Sequence, residues 1–251
     1  MARFNNYDGT EENNNIEGAE NLSFHSIPVG DLSSAEYTLV DIAIDHSGSI
    51  QGYEGDLMRM LQKCVQACKK TNRAENIMLR VTIFSGNVGI RELHGYLPLN
   101  EISEDNYQPF TPDGGTPLYD ATFSAIASMG QYGRQLRDQN LSCNGIAFII
   151  TDGEEGGSVE ANPNMIRERI STIDMEEWLE SLISIVIGVG SARIGSFAEA
   201  SGLTHTLNMG QVNEAMLSDL AQVVSGSIVS QSQAMGTGKG ADLDNDMSAF
   251  I

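Results

Sequence analysis

The chain is poor in basic residues: 14 Lys and Arg stand against 34 Asp and Glu in 251 residues, a formal net charge of −20. Nucleic-acid affinity is built from Lys and Arg contacts to phosphate, so this deficit argues against unspecific binding to DNA or RNA. It favours solubility and a basic partner surface instead. Cysteine is equally scarce, with three residues and no disulfide framework. Cys64 and Cys68 stand at helical spacing on an apolar face and read as buried thiols, while Cys143 stands alone before a strand. No apolar run approaches the length of a membrane span, and the opening residues Met1-Ala2-Arg3-Phe4-Asn5-Asn6 carry no apolar core of a secretory signal. The expected location is therefore cytoplasmic, with no membrane contact.

What the chain does have is short, β-branched-rich runs bounded by Gly, Ser, Asn or Asp. Tyr37 to Ile44, Asn76 to Phe84, Gly145 to Ile150 and Leu182 to Gly188 read as buried strands. Between them lie helical patterns, with Leu57, Met60, Leu61, Cys64, Val65 and Cys68 on one face and Leu118, Ala121, Ala125, Ile126 and Met129 on another. Strands alternating with helices predict a doubly wound, mostly parallel α/β sheet with helices on both faces. In such sheets ligands bind at the carboxyl ends of the strands, where the strand order reverses.

Three segments are expected at that rim. Asp45-His46-Ser47-Gly48-Ser49 ends the first strand run, Gly114-Gly115-Thr116-Pro117-Leu118 precedes a helix, and Ile149-Ile150-Thr151-Asp152-Gly153 ends a later strand. Thr116 before Pro117 reads as a helix N-cap. Together Asp45, Ser47, Ser49, Thr116 and Asp152 make an all-oxygen donor set suited to a hard divalent cation such as Mg2+ or Mn2+. The competing reading is that the serines cap the next helix and Asp45 satisfies loop amides. Asp113, Asp120, Glu154 and Glu155 lie in the same loops; Asp120 reads as a helix-dipole partner and the two glutamates as solvated charges.

The five-residue pattern, Asp-x-Ser-x-Ser then Thr then Asp, resembles the metal-ion-dependent adhesion site (MIDAS) of von Willebrand factor A-type (vWA) domains. The resemblance extends through Thr116-Pro117-Leu118-Tyr119-Asp120-Ala121, Ile150-Thr151-Asp152-Gly153 and Ile187-Gly188-Val189-Gly190, and covers roughly Glu36 to Ile228. It implies an intracellular bacterial or phage type of vWA protein. It also implies that Ser47, Ser49 and Thr116 hold the cation through hydroxyls, with Asp45 and Asp152 acting directly or through water. The open position would capture an Asp or Glu carboxylate of a partner protein, for which the resemblance suggests a component of an ATPase or stress-response assembly, making the chain an adaptor and not an enzyme. In the family the last helix, here Gln211 to Ile228 with Met216, Leu220, Val224 and Ile228 facing the core, can couple to the site.

The domain organisation expected from composition is a largely disordered, acidic, Asn-rich segment over 1–34, a vWA domain over 35–230 and a flexible linker with an acidic tail over 231–251. Leu22, Phe24, Ile27 and Val29 stand apart within the first segment as residues able to pack onto the domain. Two other functions fit the composition less specifically. One is an assembly scaffold of a phage or multi-subunit particle acting through its tails. The other is a metal-assisted hydrolase, which lacks an evident base beside the proposed ligands.

Overall fold

The computed structural model describes residues 11–190, 192–209 and 214–234. Among these residues eight strands form one sheet: β1 (Glu12–Asn15), β2 (Ser23–Ser26), β3 (Glu36–Asp45), β4 (Ile77–Ser85), β5 (Gly89–Pro98), β6 (Ser142–Thr151), β7 (Leu182–Val189) and β8 (His205–Met209). Their spatial order is β1-β2-β5-β4-β3-β6-β7-β8. Strands β4, β3, β6, β7 and β8 run parallel, and β5 joins β4 antiparallel. Five α-helices lie among the described residues: α1 (Glu54–Lys69), α2 (Leu118–Asp138), α3 (Pro163–Met175), α4 (Gly195–Ser201) and α5 (Glu214–Ala234). Helices α1 and α5 pack together, as do α2 and α3, and both α2 and α5 contact β3 and β6. The sheet is the doubly wound α/β arrangement expected from the alternation of strand and helix patterns.

The central strands carry the core because they are covered on both sides. Leu39, Val40, Ile42, Ala43 and Ile44 of β3 and Ile146 through Ile150 of β6 are fully buried, as continuous apolar runs in parallel strands require. Strand β3 pairs with β4 on one side and β6 on the other. The chain order therefore reverses at β3, and the crevice between the ends of β3 and β6 is the switch point at which ligands bind such sheets.

Two charged residues interrupt this apolar centre. Asp41 of β3 and Arg80 of β4 are neighbours in register and both fully buried. Arg80 Nη1 donates to Asp41 Oδ2 at 2.8 Å and to Ser128 Oγ at 3.2 Å, Nη2 donates to Ser124 Oγ at 3.2 Å, and Nε donates to Glu92 Oε1 at 2.6 Å. The chain of contacts continues outward to His25 of β2, whose Nδ1 lies 2.7 Å from Glu92 Oε2. A guanidinium can be held in such a place only because its fork meets carboxylates and hydroxyls on several sides.

The expectation of a largely disordered segment over 1–34 is corrected for residues 11–34. Ile16, Ala19, Leu22, Phe24 and Ile27 are buried, and Val29 packs partly buried against the same core. Phe24 meets Tyr96 edge-on, with ring centroids 6.1 Å apart. The Asn-rich stretch pairs with the polar face of α2 through Gln135 Nε2 to Asn14 Oδ1 and Gln131 Nε2 to Asn15 O, each 3.0 Å. Composition misled because the few apolar residues are spaced to reach one surface. Gly95 makes the close approach possible: a side chain there would run into the His25 backbone.

At the other end, helix α5 runs on to Ala234, so the linker expected from 231 does not begin there; Gln231 and Ser232 are buried within the fold. Val224 and Ile228 face the core as expected. The Met216 and Leu220 side chains lie outside the described residues, as do 1–10 and the tail from 235 onward.

The His25–Glu92 contact links the N-terminal hairpin to pH. The hydrogen bond to Glu92 raises the His25 pKa above its ordinary 6.5 despite partial burial. A raised folded-state value means that the contact stabilises fully below 6.5 and is lost as pH rises through the folded value. Urea midpoints of the wild type should therefore fall across that alkaline step, and His25→Gln should show a flatter profile over the same window. Equal profiles would show that the contact does not titrate with folding.

Candidate metal centre

The proposed ligands come from three loops at the carboxyl rim of the sheet. Asp45 is the last residue of β3, and Asp152 follows Thr151, the last residue of β6. Asp45 is fully buried; its Oδ1 accepts from Ser47 N at 2.7 Å and its Oδ2 from Thr151 Oγ1 at 2.6 Å. Ser47 Oγ lies 3.0 Å from Ser49 Oγ, and Ser49 Oγ donates to Asp152 Oδ1 at 2.7 Å. These contacts link one strand end to the other, through the Ser47 backbone N–H at Asp45 and through side-chain oxygens from Ser47 to Asp152. Thr116 Oγ1 borders the same space: a Cβ placed on Gly153 would lie 3.2 Å from it and 3.7 Å from Ser49 Oγ. The structure thus brings the five sequence-singled residues to one rim.

Glycines let the third loop reach this position. Gly114 has φ +67°, a left-handed conformation that glycine adopts without strain. Gly48 N donates to Gly114 O at 3.1 Å, Asp113 N to His46 O at 2.9 Å and Gly86 N to Gly115 O at 2.8 Å. A Cβ on Gly86 would stand 2.8 Å from Gly115 N, so the end of β4 and the Thr116 loop pack backbone against backbone.

Burial pushes the Asp45 carboxyl above its ordinary range, the hydrogen bonds from Ser47 and Thr151 pull it back, and the nearby Asp152 charge pushes it up again. Burial likewise raises Asp152. Two carboxylates at one partly desolvated rim repel each other when no cation lies between them. The donor chemistry fits a hard divalent ion, since two carboxylates and three hydroxyls offer oxygen alone. Among the described residues no three His, Cys, Asp or Glu side chains gather as a metal cage.

Three local expectations are corrected. Thr116 is not a side-chain cap: helix α2 starts at Leu118, Pro117 is its N-cap residue, and no side chain of that residue bonds to the helix. The helix amides are met instead from the loop after Asp152, by Glu155 and Ser158. Glu155 is therefore not a solvated charge, whereas Glu154 is exposed. Asp120 does more than face a helix dipole; it is nearly buried and accepts backbone N–H groups from Val159, Glu160 and Ala161 at 2.8–3.0 Å. His46, inside the ligand loop, is buried with its ring centroid 4.3 Å from that of Phe110.

No protein-family model matches the chain, and a search of curated proteins returns no match. Solved structures do resemble it. Proximal thread matrix protein 1 from the mussel byssus, in a structure with a zinc-occupied MIDAS motif, aligns at 16% identity and a TM-score of 0.51 over 77% of this chain and 48% of that one. The pilus adhesin SpaC from Lactobacillus rhamnosus GG aligns at 10% identity and a TM-score of 0.55, over 79% of this chain and 31% of that one. This chain spans less than half the length of either. The likeness shows the fold, a vWA-type member of the doubly wound α/β class.

Proposed function

We propose that the chain is a protein-interaction module in which Asp45, Ser47, Ser49, Thr116 and Asp152 hold a divalent cation that captures an acidic side chain of a partner protein. The observation that carries this reading is the hydrogen-bonded series from Asp45 to the Ser47 backbone N–H, and from Ser47 Oγ through Ser49 Oγ to Asp152, set at the switch point of the sheet. The zinc-occupied motif in the byssus protein supports divalent-cation use by this fold. Mg2+ or Mn2+ is the cation the all-oxygen donor set favours. When bound, the ion supplies a localised positive centre on a chain of net charge −20, giving an acidic partner one place to be attracted rather than repelled.

We read the site as one of binding rather than turnover: His46, the histidine of the ligand loop, is buried against Phe110. A cytoplasmic setting suits the three free, buried cysteines, which need no oxidising compartment. Among the described residues no helix is long and apolar enough to cross a membrane. An ATPase or stress-response component remains the partner class we favour, on the family resemblance alone.

The experiment is a selection from a random peptide library on the immobilised full chain in Mg2+ or Mn2+. Enriched peptides should carry Asp or Glu, release on chelation and ignore a Thr116→Ala variant. Peptides without acidic residues, or binding that survives chelation, would contradict the reading.

A further inference from the structure

The loop from Asp152 to Asn162 and the start of α2 are tied to each other by hydrogen bonds in both directions. Pro117 leaves α2 without an N-cap side chain. The first helix amides are served across the gap: Tyr119 N donates to Glu155 Oε2 at 2.9 Å and to Ser158 Oγ at 3.0 Å, and Asp120 N to Ser158 Oγ at 3.1 Å. Glu155 also shapes its own loop, taking Gly157 N at 3.0 Å, Ser158 N at 2.8 Å and Ser158 Oγ at 2.8 Å. In return Asp120 holds the backbone of Val159, Glu160 and Ala161. Between these two carboxylates, Thr116 and Gly156 exchange backbone hydrogen bonds of 3.0 and 2.9 Å. Gly115 permits that bridge, since a side chain there would strike Gly156 O.

The two segments joined this way carry Thr116 and Asp152. Loop residues separated by a whole helix and strand in sequence would otherwise drift independently, and a small octahedral ion tolerates little misplacement of its donors. We propose that Glu155, with Asp120 as its counterpart, is a positioning residue of the metal centre: it fixes the spacing between Thr116 and Asp152 without itself touching the ion. This rests on the metal-binding reading above and extends it to residues outside the five-position pattern. Both carboxylates of Glu155 and Asp120 are committed to backbone and serine donors, so they act through geometry and not as additional ligands.

The test is calorimetric titration of Mn2+ into the chelator-stripped full chain, comparing wild type, Glu155→Ala, Glu155→Gln and Glu154→Gln. Glu154 is the charge control, exposed and one residue away. The expected result is a loss of about tenfold or more in affinity for Glu155→Ala, of the size seen when partners that orient ligands are removed. Glu155→Gln, which keeps an acceptor oxygen, should recover part of that loss, and Glu154→Gln should bind like the wild type. Amide exchange should show faster exchange at Tyr119 and Gly156 in Glu155→Ala while the amides of β3 and β6 stay protected, which separates a loosened clasp from an unfolded domain. Equal affinity of wild type and Glu155→Ala, or equal losses in Glu155→Gln and Glu154→Gln, would overturn the positioning role while leaving the metal reading intact. A wild type that binds no Mn2+ would overturn both.

Discussion

Replacing Arg80 by Ala is expected to lower the unfolding free energy by about 3–5 kcal/mol, the cost of leaving a buried carboxylate without its counter-charge. Asp41 and Arg80 have no exposed side-chain surface, so water cannot take the place of the lost guanidinium. The substitution also strips Ser124, Ser128 and Glu92 of a donor and leaves a void at the middle of the sheet. Against a typical domain stability of roughly 5–15 kcal/mol this is a large fraction. Burial already holds the Asp41 carboxyl above its ordinary value; without Arg80 it would be driven further toward the neutral form, which caps the penalty. The double variant Asp41→Leu/Arg80→Met removes the pair and fills the space, so it should recover most of the loss. Urea unfolding followed by far-UV circular dichroism reads both. A single-variant loss below about 1 kcal/mol, as for an exposed ion pair, would show that the network is not sealed from water.

That network marks the boundary of what the sequence discloses. The four central strands and the helices α1 and α2 were legible because their apolar residues follow the periods that burial on two faces or one face imposes. Asp41 and Arg80 sit inside those same runs, yet nothing local says that they meet; their register across β3 and β4 does. Strand β5 carries no clear sequence signal because Arg91 and Glu92 break its apolar alternation. Helix α3 buries only Ile166 and Ile173, too few for a clear periodic signal. The N-terminal hairpin was hidden by its Asn and Glu content, although Phe24 and Ile27 were visible as residues able to pack.

The metal centre divides in the same way. The five proposed donors stand out from spacing and from the strand ends they follow, because the chemistry of an oxygen-loving ion fixes residue type. The clasp formed by Glu155, Ser158 and Asp120 could not, since capping in trans depends on two loops meeting in space. Pro117 was the one signal available: a proline at the helix entrance preceded by Thr116 pointed to a cap, and the structure supplies that cap from another segment.

Asp45 should matter to the cation more than any residue of the clasp. It is the more deeply buried of the two carboxylates, fixed at both oxygens by Ser47 N and Thr151 Oγ1. Asp45→Ala leaves one carboxylate, Asp152, among neutral hydroxyls, and divalent affinity depends on the ligand charge count. The loss should exceed the roughly 10–100-fold that follows removal of an orienting partner. Folding should survive, because the variant deletes a buried charge whose pKa burial has already raised, at the cost of about 1–3 kcal/mol for the unmet Ser47 and Thr151 donors.

The most direct measurement is isothermal titration of Mg2+ and Mn2+ into chelator-stripped wild type and Asp45→Ala, with circular dichroism confirming that both are folded. The account predicts saturable one-site binding by the wild type and none detectable in the variant. A folded wild type that takes up neither ion, or a variant that binds as well as the wild type, would contradict it.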